Sequence, residues 1–246
     1  MQQAGRPVAL VTGGGKRIGA EISRRLHGAG YDLAIHYRHS EHEALELKGE
    51  LDEQRADGVL LLPGELGAPG VPAALVASVL AHFGRLDGLV NNASAFFPTP
   101  LGAVTDAQWE ELFASNARAP FFLAQAAAAP LRAARGAIVN LVDIHAERGL
   151  REHTPYVMAK SALAAMTRSL ALELAPEVRV NGVAPGAVLW PEQGKSEAEK
   201  QSMLRSTPLG RAGTPEEIAE AVRWLLQDAS YCTGQILRVD GGRSVS

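Results

Sequence analysis

The chain has 246 residues, 46% of them hydrophobic and 21% charged, which fits one large α/β domain or two small ones. Its formal charge of −3 gives no basic field for nucleic acid, and the single cysteine, Cys232, argues against a disulfide or a zinc cluster. The first apolar stretch, residues 8–12, is too short for a signal peptide core or a membrane span. We therefore expect a soluble cytoplasmic protein that binds neither membranes, nucleic acid nor a metal ion.

Strand-like apolar runs alternate with segments of helical period along the whole chain. We predict helices at residues 17–29, 41–55, 71–83, 106–134, 154–175 and 214–227, and the fourth of these is long enough for two helices. We predict nearly all-apolar strands at residues 7–12, 32–37, 59–62, 86–91, 137–142, 178–184 and 235–239.

Repeated β-α-β units of this kind predict an α/β fold of Rossmann type, a doubly wound parallel sheet of about seven strands with helices on both faces. No linker divides the chain, so we expect a single domain over residues 1–246. The polar segment 191–206 follows a strand end, where α/β proteins bind ligands. We interpret the surrounding residues, about 187–210, as a substrate lid; an inert surface excursion is the alternative.

The first strand leads into a glycine-rich turn and a helix start at residues 13–19 (GGGKRIG). Glycines let the backbone approach a pyrophosphate, and a helix N-terminus supplies N–H groups and positive potential. An ordinary turn has a similar composition, but the position at the first strand–helix junction favours nucleotide binding. The turn alone leaves both a mononucleotide and a dinucleotide open.

The end of the second strand, residues 36–40 (HYRHS), lacks the Asp or Glu that usually binds a free ribose 2′-hydroxyl. Arg38 and Ser40 would suit a 2′-phosphate, with Lys16 or Arg17 reaching the same charge. We therefore expect NADPH rather than NADH; the alternative is a solvated, mildly basic strand end. We expect the two histidines of this segment to be packing and surface residues rather than ligands.

Tyr156 and Lys160 are four residues apart, so on a helix they lie on one face, one turn apart. Thr154 and the proline after it are typical of a helix start, with Thr154 as the N-cap. Asp143 follows the strand predicted at residues 137–142 and can meet this pair. A phenol beside an ammonium is a proton donor whose anion is stabilised, so the three residues predict an acid–base site. A capping or structural Asp143 is the alternative.

Two asparagine positions are also informative. Asn92, in the segment Asn91-Asn92-Ala93-Ser94, can hold the edge of the fourth strand beside a ligand cavity, although an Asx turn would explain it as well. Asn116 lies within a predicted helix, where asparagine has poor propensity. We expect a buried Asn116 in a proton relay; a simple exposed polar position is the alternative.

The chain resembles the short-chain dehydrogenase/reductase superfamily in the order and spacing of its motifs: Gly13-x3-Arg17-x-Gly19, Asn91-Asn92-Ala93, Asn116, Tyr156-x3-Lys160 and Asn181-x3-Pro185-Gly186. The resemblance covers nearly the whole chain. Within the superfamily it resembles the pteridine reductases, because Arg17 replaces a turn glycine, Ser94 replaces the glycine of Asn-Asn-Ala-Gly, and Asp143 replaces the usual serine. The strand end HYRHS is the fourth similarity.

The resemblance implies NADPH-dependent reduction of pterins, and in some members of folates, to dihydro or tetrahydro forms. The cofactor residues that it implies, with those named above, are Gly13, Arg17, Ile18, Tyr37, Arg38, Ser40, Glu65, Leu66, Asn92, Ala93, Ser94, Lys160, Pro185 and Gly186. One position departs from the pattern: Glu65 stands where an Asp commonly contacts adenine, so it either substitutes with a longer arm or the contact is lost.

The resemblance also implies the substrate contacts. The pterin would lie between the nicotinamide and Phe96, and stacking would contribute about 1 kcal/mol beyond burial. Ser94 would contact substrate and cofactor, and Arg17 would touch both the cofactor phosphate and the pterin. We expect Phe96 to face the ligand and Phe97 to face the core.

The implied catalytic residues are Asp143, Tyr156, Lys160 and Asn116. Asp143 would work with Tyr156 in proton delivery, and Lys160 would bind the nicotinamide ribose and lower the pKa of the tyrosine. A carboxylate would repel the alkoxide-like transition state of carbonyl reduction, whereas protonation of a ring nitrogen needs an acid nearby.

Three functions are compatible with these features of the sequence. The first is a pteridine reductase acting on dihydropterins such as dihydromonapterin or dihydrobiopterin, with dihydrofolate as a weaker substrate. The second is a carbonyl reductase, for instance of 3-oxoacyl thioesters, and the third is a nucleotide-binding protein without turnover. Apolar helix faces at residues 112–113 and 121–123 imply, by resemblance, a homotetramer; packing within one subunit is the alternative.

Overall fold

The computed structural model describes residues 5–188 and 197–246, and a parallel sheet lies at its centre. Its strands are β1 (Val8–Val11), β2 (Asp32–Tyr37), β3 (Val59–Pro63), β4 (Gly88–Asn91), β5 (Ala137–Leu141), β6 (Arg179–Pro185) and β7 (Ile236–Val239). Their order is β3-β2-β1-β4-β5-β6-β7, and every neighbouring pair is parallel. Strands β1, β2, β4 and β5 are buried along their whole length, which explains why most of their residues are apolar.

Helices cover both faces of this sheet. They are α1 (Arg17–Gly28), α2 (Glu41–Gln54), α3 (Val71–Phe83), α4 (Asp106–Phe113), α5 (Ala119–Ala134), α6 (His145–Arg148), α7 (Thr154–Glu173), α8 (Glu197–Arg205) and α9 (Pro215–Gln227). Alternate residues of β1 point to opposite faces: Ala9 and Val11 pack with α1 and α9, while Val8 and Leu10 pack with α3 and α5. The predicted doubly wound α/β fold with seven strands is confirmed.

The long helical segment at residues 106–134 contains a local irregularity. Helices α4 and α5 are joined without a break by a π-helical turn, Ala114–Arg118, rather than by a loop. A π-helical turn inserts one extra residue into a helix and is frequent at functional sites. Asn116 lies inside this turn, so the poor helix propensity of asparagine falls where the helix departs from α geometry.

The N-cap of α7 lies one residue before the predicted one. The helix begins at Thr154 itself, His153 occupies the N-cap position, and no side chain caps the first turn. Thr154 is therefore not the N-cap, although the proline after it lies in the first turn as predicted.

The predicted lid at residues 187–210 is only partly visible. Residues 189–196 lie outside the described residues, and the next part of the segment forms α8. Within residues 5–188 and 197–246, no helix combines the length and the apolar character that a membrane crossing requires.

Candidate active site

The parallel sheet brings the ends of its strands to one edge. The sheet order reverses direction between β1 and β4, which separates two halves and opens a crevice at the carboxyl ends of the strands. The predicted site residues follow these ends: Gly13 after β1, Arg38 after β2, Ser94 after β4 and Asp143 after β5. The fold thus places residues from distant parts of the sequence along one edge.

Asp143 uses both carboxylate oxygens. Its Oδ2 accepts a hydrogen bond of 2.7 Å from the phenol of Tyr156, and its Oδ1 accepts one of 2.8 Å from the backbone N–H of His145. The second bond holds the backbone at the start of α6, but Ile144 occupies the N-cap position of that helix and no side chain caps it. The first bond also brings the carboxylate against the phenol, as the acid–base interpretation requires.

Tyr156 is 5% exposed, and its environment favours the protonated phenol. Burial, the negative charge of Asp143 and the hydrogen bond to Asp143 together raise the pKa of Tyr156 well above its ordinary value, while the Ser94 hydroxyl opposes this. The phenol is therefore held as a proton donor. The expectation that Lys160 lowers this pKa stays a prediction.

Lys160 lies beneath this pair and is 3% exposed. Its Nζ donates a hydrogen bond of 2.7 Å to the carbonyl of Leu141 and lies 5.8 Å from the centroid of the Tyr156 ring. Burial lowers the pKa of Lys160 to about 8, and the charge of Asp143 opposes that decrease. A buried ammonium with this pKa changes its charge close to neutral pH.

Ser94 and Asn116 extend the group of polar side chains. The Ser94 hydroxyl donates a hydrogen bond of 2.7 Å to Oδ1 of Asn116, and Nδ2 of Asn116 donates to the carbonyls of Ala95 and Leu112, each at 2.9 Å. Asn116 is completely buried, so these bonds satisfy an otherwise costly amide. The structure thus connects Asn116 to the loop after β4 and, through Ser94, to Tyr156; its proposed part in proton transfer stays a prediction.

Phe96 forms an aromatic wall beside the phenol. Its ring lies 4.8 Å from the Tyr156 ring in an edge-on arrangement and stacks on the His153 ring at 4.6 Å. The side chain is 46% exposed, whereas Phe97 is half-buried. An exposed aromatic face next to a proton donor suits a flat aromatic ligand.

The backbone of the glycine-rich turn has the geometry of a nucleotide-binding site. Gly13 has φ +60°, a left-handed conformation that glycine adopts without strain. A Cβ on Gly19 would lie 2.0 Å from the Gly13 carbonyl oxygen, so only glycine lets α1 start this close to the turn. Lys16, the N-cap of α1, makes no side-chain cap bond, and Nδ2 of Asn92 holds the Gly13 carbonyl at 3.1 Å. These features fit a backbone cradle for a pyrophosphate.

The ends of β2 and β3 lie next to each other in the sheet. Arg38 forms an ion pair with Glu65, and its guanidinium also lies 3.7 Å from Glu111. Glu65 is thus engaged with the arginine predicted to bind a 2′-phosphate, which the sequence did not suggest. The side chain of Leu66 is buried in the core, so this residue could contact a cofactor only through its backbone.

Two further predicted cofactor residues lie beside that ion pair. The Tyr37 hydroxyl donates a hydrogen bond of 3.3 Å to Glu41, and Ser40 occupies the N-cap position of α2 without a side-chain cap bond. On the other half of the sheet, Pro185 ends β6, and Gly186 passes so close to Asp240 that a Cβ there would lie 2.7 Å from its Cα.

The match to a protein-family model decides the classification. Residues 14–244 match the family described as Enoyl-(Acyl carrier protein) reductase. The chain belongs to the short-chain dehydrogenase/reductase superfamily. It is therefore an oxidoreductase of that superfamily.

Individual superfamily relatives differ in what they act on. The chain is 37% identical to Pteridine reductase 1 of Leishmania tarentolae, over 98% of this chain and 97% of that protein. It is 35% identical to L-fucose dehydrogenase of Mus musculus, over 96% and 87%, respectively. It is 34% identical to the 3-oxoacyl-[acyl-carrier-protein] reductase FabG of Staphylococcus aureus, over 95% and 96%. The similar identities establish the superfamily without deciding the substrate.

The sequence did not predict two sets of contacts around the glycine-rich turn, those of His36 and those of Thr12. His36 was expected only to pack, yet both of its ring nitrogens contact backbone groups. The Thr12 hydroxyl accepts hydrogen bonds from the N–H groups of Asn92 and Ala93, at 2.9 and 3.0 Å, and so joins β1 to the loop after β4. A polar residue inside or at the end of an apolar strand is the signal that could have found both.

Proposed function

We propose that this protein is an NADPH-dependent pteridine reductase that reduces dihydropterins to tetrahydropterins. The observation that carries the proposal is the 2.7 Å hydrogen bond from Tyr156 to Asp143. It places a carboxyl group where a carbonyl reductase of this superfamily would need a neutral hydroxyl donor. The identity of 37% to a pteridine reductase over 98% of the chain supports the same conclusion.

The acid–base group determines which substrate atom can receive a proton. The nicotinamide cofactor would supply a hydride to a pterin ring carbon. For a fully oxidised pterin, Asp143 and Tyr156 would hold a proton next to the adjacent ring nitrogen and deliver it. For a 7,8-dihydropterin, the proton for N5 would come through water. A carboxylate would instead oppose the negative charge that develops on a carbonyl oxygen, which disfavours ketone substrates.

The aromatic wall supports a flat, conjugated substrate. The centroid of the Phe96 ring lies 4.8 Å from that of Tyr156, and His153 stacks on one face of Phe96, so a pterin stacked on the other face would lie close to the proton donor. Ser94 is exposed at the same place and would offer a hydroxyl to the donor- and acceptor-rich pterin edge.

The two ends of the site are separated as a dinucleotide requires. Three strand spacings, roughly 15 Å, separate β2 from β5 in the sheet, with the glycine-rich turn between them. We propose that Arg38 and Ser40 bind the 2′-phosphate, that residues 13–19 bind the pyrophosphate, and that Lys160 binds the nicotinamide ribose. The cofactor would then be NADPH rather than NADH.

The decisive test is NADPH oxidation with four substrates side by side: 7,8-dihydromonapterin, 7,8-dihydrobiopterin, dihydrofolate and acetoacetyl-CoA. We expect turnover of the pterins, weaker turnover of dihydrofolate and none of the thioester. Turnover of the thioester alone would show that the Asp143 argument is wrong. Parallel assays with NADH test the cofactor separately from the substrate.

A second candidate is a 3-oxoacyl thioester reductase. The identity of 34% to a 3-oxoacyl-[acyl-carrier-protein] reductase over 95% of the chain favours it. Asp143 and its bond to Tyr156 argue against it, because a carbonyl oxygen would then meet a carboxylate. The substrate panel distinguishes the two candidates directly.

The apolar helix surfaces support a homotetramer. Phe121 and Phe122 on α5 and Leu172 on α7 are exposed to 43%, 38% and 83%. Exposed apolar side chains of this size are typical of surfaces that pack against a second subunit. Light scattering after size exclusion should give four times the mass of 26.0 kDa, and a monomer would show that these residues serve another purpose.

A further inference from the structure

His36 is a buried imidazole held between two separate backbone groups. It lies in β2 and is 2% exposed. The Gly13 N–H donates to its Nδ1 at 3.2 Å, and its Nε2 lies 3.0 Å from the carbonyl oxygen of Gly64. A carbonyl oxygen only accepts, so Nε2 carries the proton and Nδ1 is the bare acceptor. The contacts therefore select the neutral ring in one tautomer.

The backbone of the same residue adds a second link to the glycine-rich turn. The Gly14 N–H donates to the His36 carbonyl at 3.0 Å, so His36 holds two consecutive amides of the turn. The neighbouring Tyr37 carbonyl accepts from the Gly64 N–H at 3.0 Å. Through these bonds, the turn after β1, strand β2 and the end of β3 are joined around one side chain.

These bonds determine the shape of the turn. Gly13 has a left-handed φ of +60°, and its N–H points toward β2 rather than toward a ligand. A backbone cradle binds an anion only when its remaining N–H groups keep a fixed orientation. Removing the acceptor at Nδ1 would leave the Gly13 N–H without its partner in a part-buried position, and such a group costs stability.

We propose that His36 is a positioning residue for the cofactor: its neutral imidazole holds the glycine-rich turn in the conformation that binds the pyrophosphate. The inference rests on the proposed nicotinamide cofactor but not on the choice of substrate or on the 2′-phosphate. It predicts equal losses for NADPH and NADH, since both carry the same pyrophosphate.

The charges around His36 imply that this function depends on pH. Burial lowers the pKa of His36, and the Gly64 hydrogen bond and the Glu65 carboxylate oppose that decrease. Glu65 is itself paired with Arg38, and the turn carries the cations Lys16 and Arg17. Protonation at Nδ1 would set an N–H against the Gly13 N–H, so the turn would lose its anchor as the pH falls.

The test is the dissociation constant of NADPH and of NADH, measured by calorimetry for the wild type, His36→Leu and His36→Gln. We expect His36→Leu to weaken both nucleotides about tenfold, the effect of losing one hydrogen bond of roughly 1.4 kcal/mol. Glutamine offers an amide donor and an acceptor, so His36→Gln should lose less. His82→Leu, an exposed histidine at the end of α3, is the matched control.

The pH profile separates positioning from a purely structural role. The wild type should lose affinity as the pH falls through the pKa of His36, which burial lowers below the ordinary imidazole value, and His36→Gln should lack that decrease. The 2′-phosphate of NADPH titrates in both proteins and therefore cancels in the comparison. The comparison of the wild type with His36→Gln tests the positioning role of His36 even if His36→Leu does not fold.

Two results would overturn the inference. A folded His36→Leu variant that binds both nucleotides as tightly as the wild type would show that His36 only packs. A His36→Gln variant with the same pH profile as the wild type would show that another group causes the titration. If the wild type binds neither nucleotide, the proposed cofactor is wrong as well, which is a different result from a variant that binds normally.

Discussion

The phenol of Tyr156, in the first turn of α7, donates a hydrogen bond of 2.7 Å to the carboxylate of Asp143, which follows the end of β5. The other oxygen of Asp143 accepts from the His145 N–H at 2.8 Å, so the carboxylate cannot rotate away without releasing the start of α6. Its orientation is thus set before any substrate binds. Preorganisation of this kind is what allows a side chain to transfer a proton efficiently.

Replacing Asp143 by Asn should lower the turnover of oxidised pterins by about a hundredfold, the usual contribution of a positioned acid. The pKa of Tyr156 should fall, because the charge and the hydrogen bond that raise it are removed. Steady-state kinetics and an ultraviolet titration of the phenol measure the two effects. Asp57→Asn, an exposed change of the same kind, is the control. Unchanged pterin turnover in Asp143→Asn would mean that another group supplies the proton.

Lys160 predicts an alkaline limit to activity. Its pKa is lowered to about 8 by burial, so the ammonium loses its proton above that pH. The value of kcat/KM reports the free enzyme and should decrease as the pH rises through about 8. In Lys160→Arg the charge persists, so the residual activity should show no such decrease. The same alkaline limb in Lys160→Arg would assign the titration to another group.

The ion pair between Arg38 and Glu65 predicts how cofactor preference can be changed. Glu65 competes with a 2′-phosphate for the guanidinium, so Glu65→Gln should raise the preference for NADPH over NADH. The pair is half-exposed on both sides, and such pairs contribute about 0–1 kcal/mol, so the expected change is at most about fivefold. Arg38→Ala should lower NADPH affinity and spare NADH.

Glu110→Gln is the matched control for this prediction, since Glu110 is exposed on α4 beside Glu111. Dissociation constants of both cofactors, measured at low and high salt, are the readout, because salt screens exposed pairs. Equal effects of Glu65→Gln and Glu110→Gln would reduce the result to a general change in surface charge.

His27 predicts a loss of stability in acid. It is 1% exposed, and neither ring nitrogen has a hydrogen-bond partner within the described residues. Burial, helped by the charge of Arg55, lowers its pKa from 6.5. Between the lowered pKa of the folded protein and 6.5, the unfolded chain therefore binds a proton that the folded protein does not. The contribution of His27 to the free energy of unfolding is fully present above pH 6.5 and is lost as the pH falls toward the folded-state pKa.

His27→Leu should therefore flatten the pH dependence and raise the free energy of unfolding in acid relative to the wild type. Urea unfolding at neutral and acidic pH measures this, with His82→Leu as the exposed control. Part of the slope should persist, because burial lowers the pKa of His36 as well. A variant with the same slope as the wild type would contradict the assignment to His27.

Local patterns in the sequence determined the elements of this protein. Buried parallel strands are apolar along their length and helices repeat at 3.6 residues, so the seven strands were predicted to within a few residues. Tyr156 and Lys160 were predicted to share a face because their spacing is one helical turn. The N-cap of α7 was predicted one residue too late, at Thr154 instead of His153, since either residue is compatible with the same local pattern.

Only the tertiary structure decided which distant side chains meet. The contacts of His36 with Gly13, of Ser94 with Asn116 and of Arg38 with Glu65 join residues more than 20 positions apart. Strand order, register and the π-helical turn set these meetings, and they follow from how the apolar faces pack rather than from any local repeat. The sequence by itself therefore determined the residues available at the carboxyl edge of the sheet. Packing decided their partners, and with them the protonated phenol of Tyr156 and the neutral ring of His36.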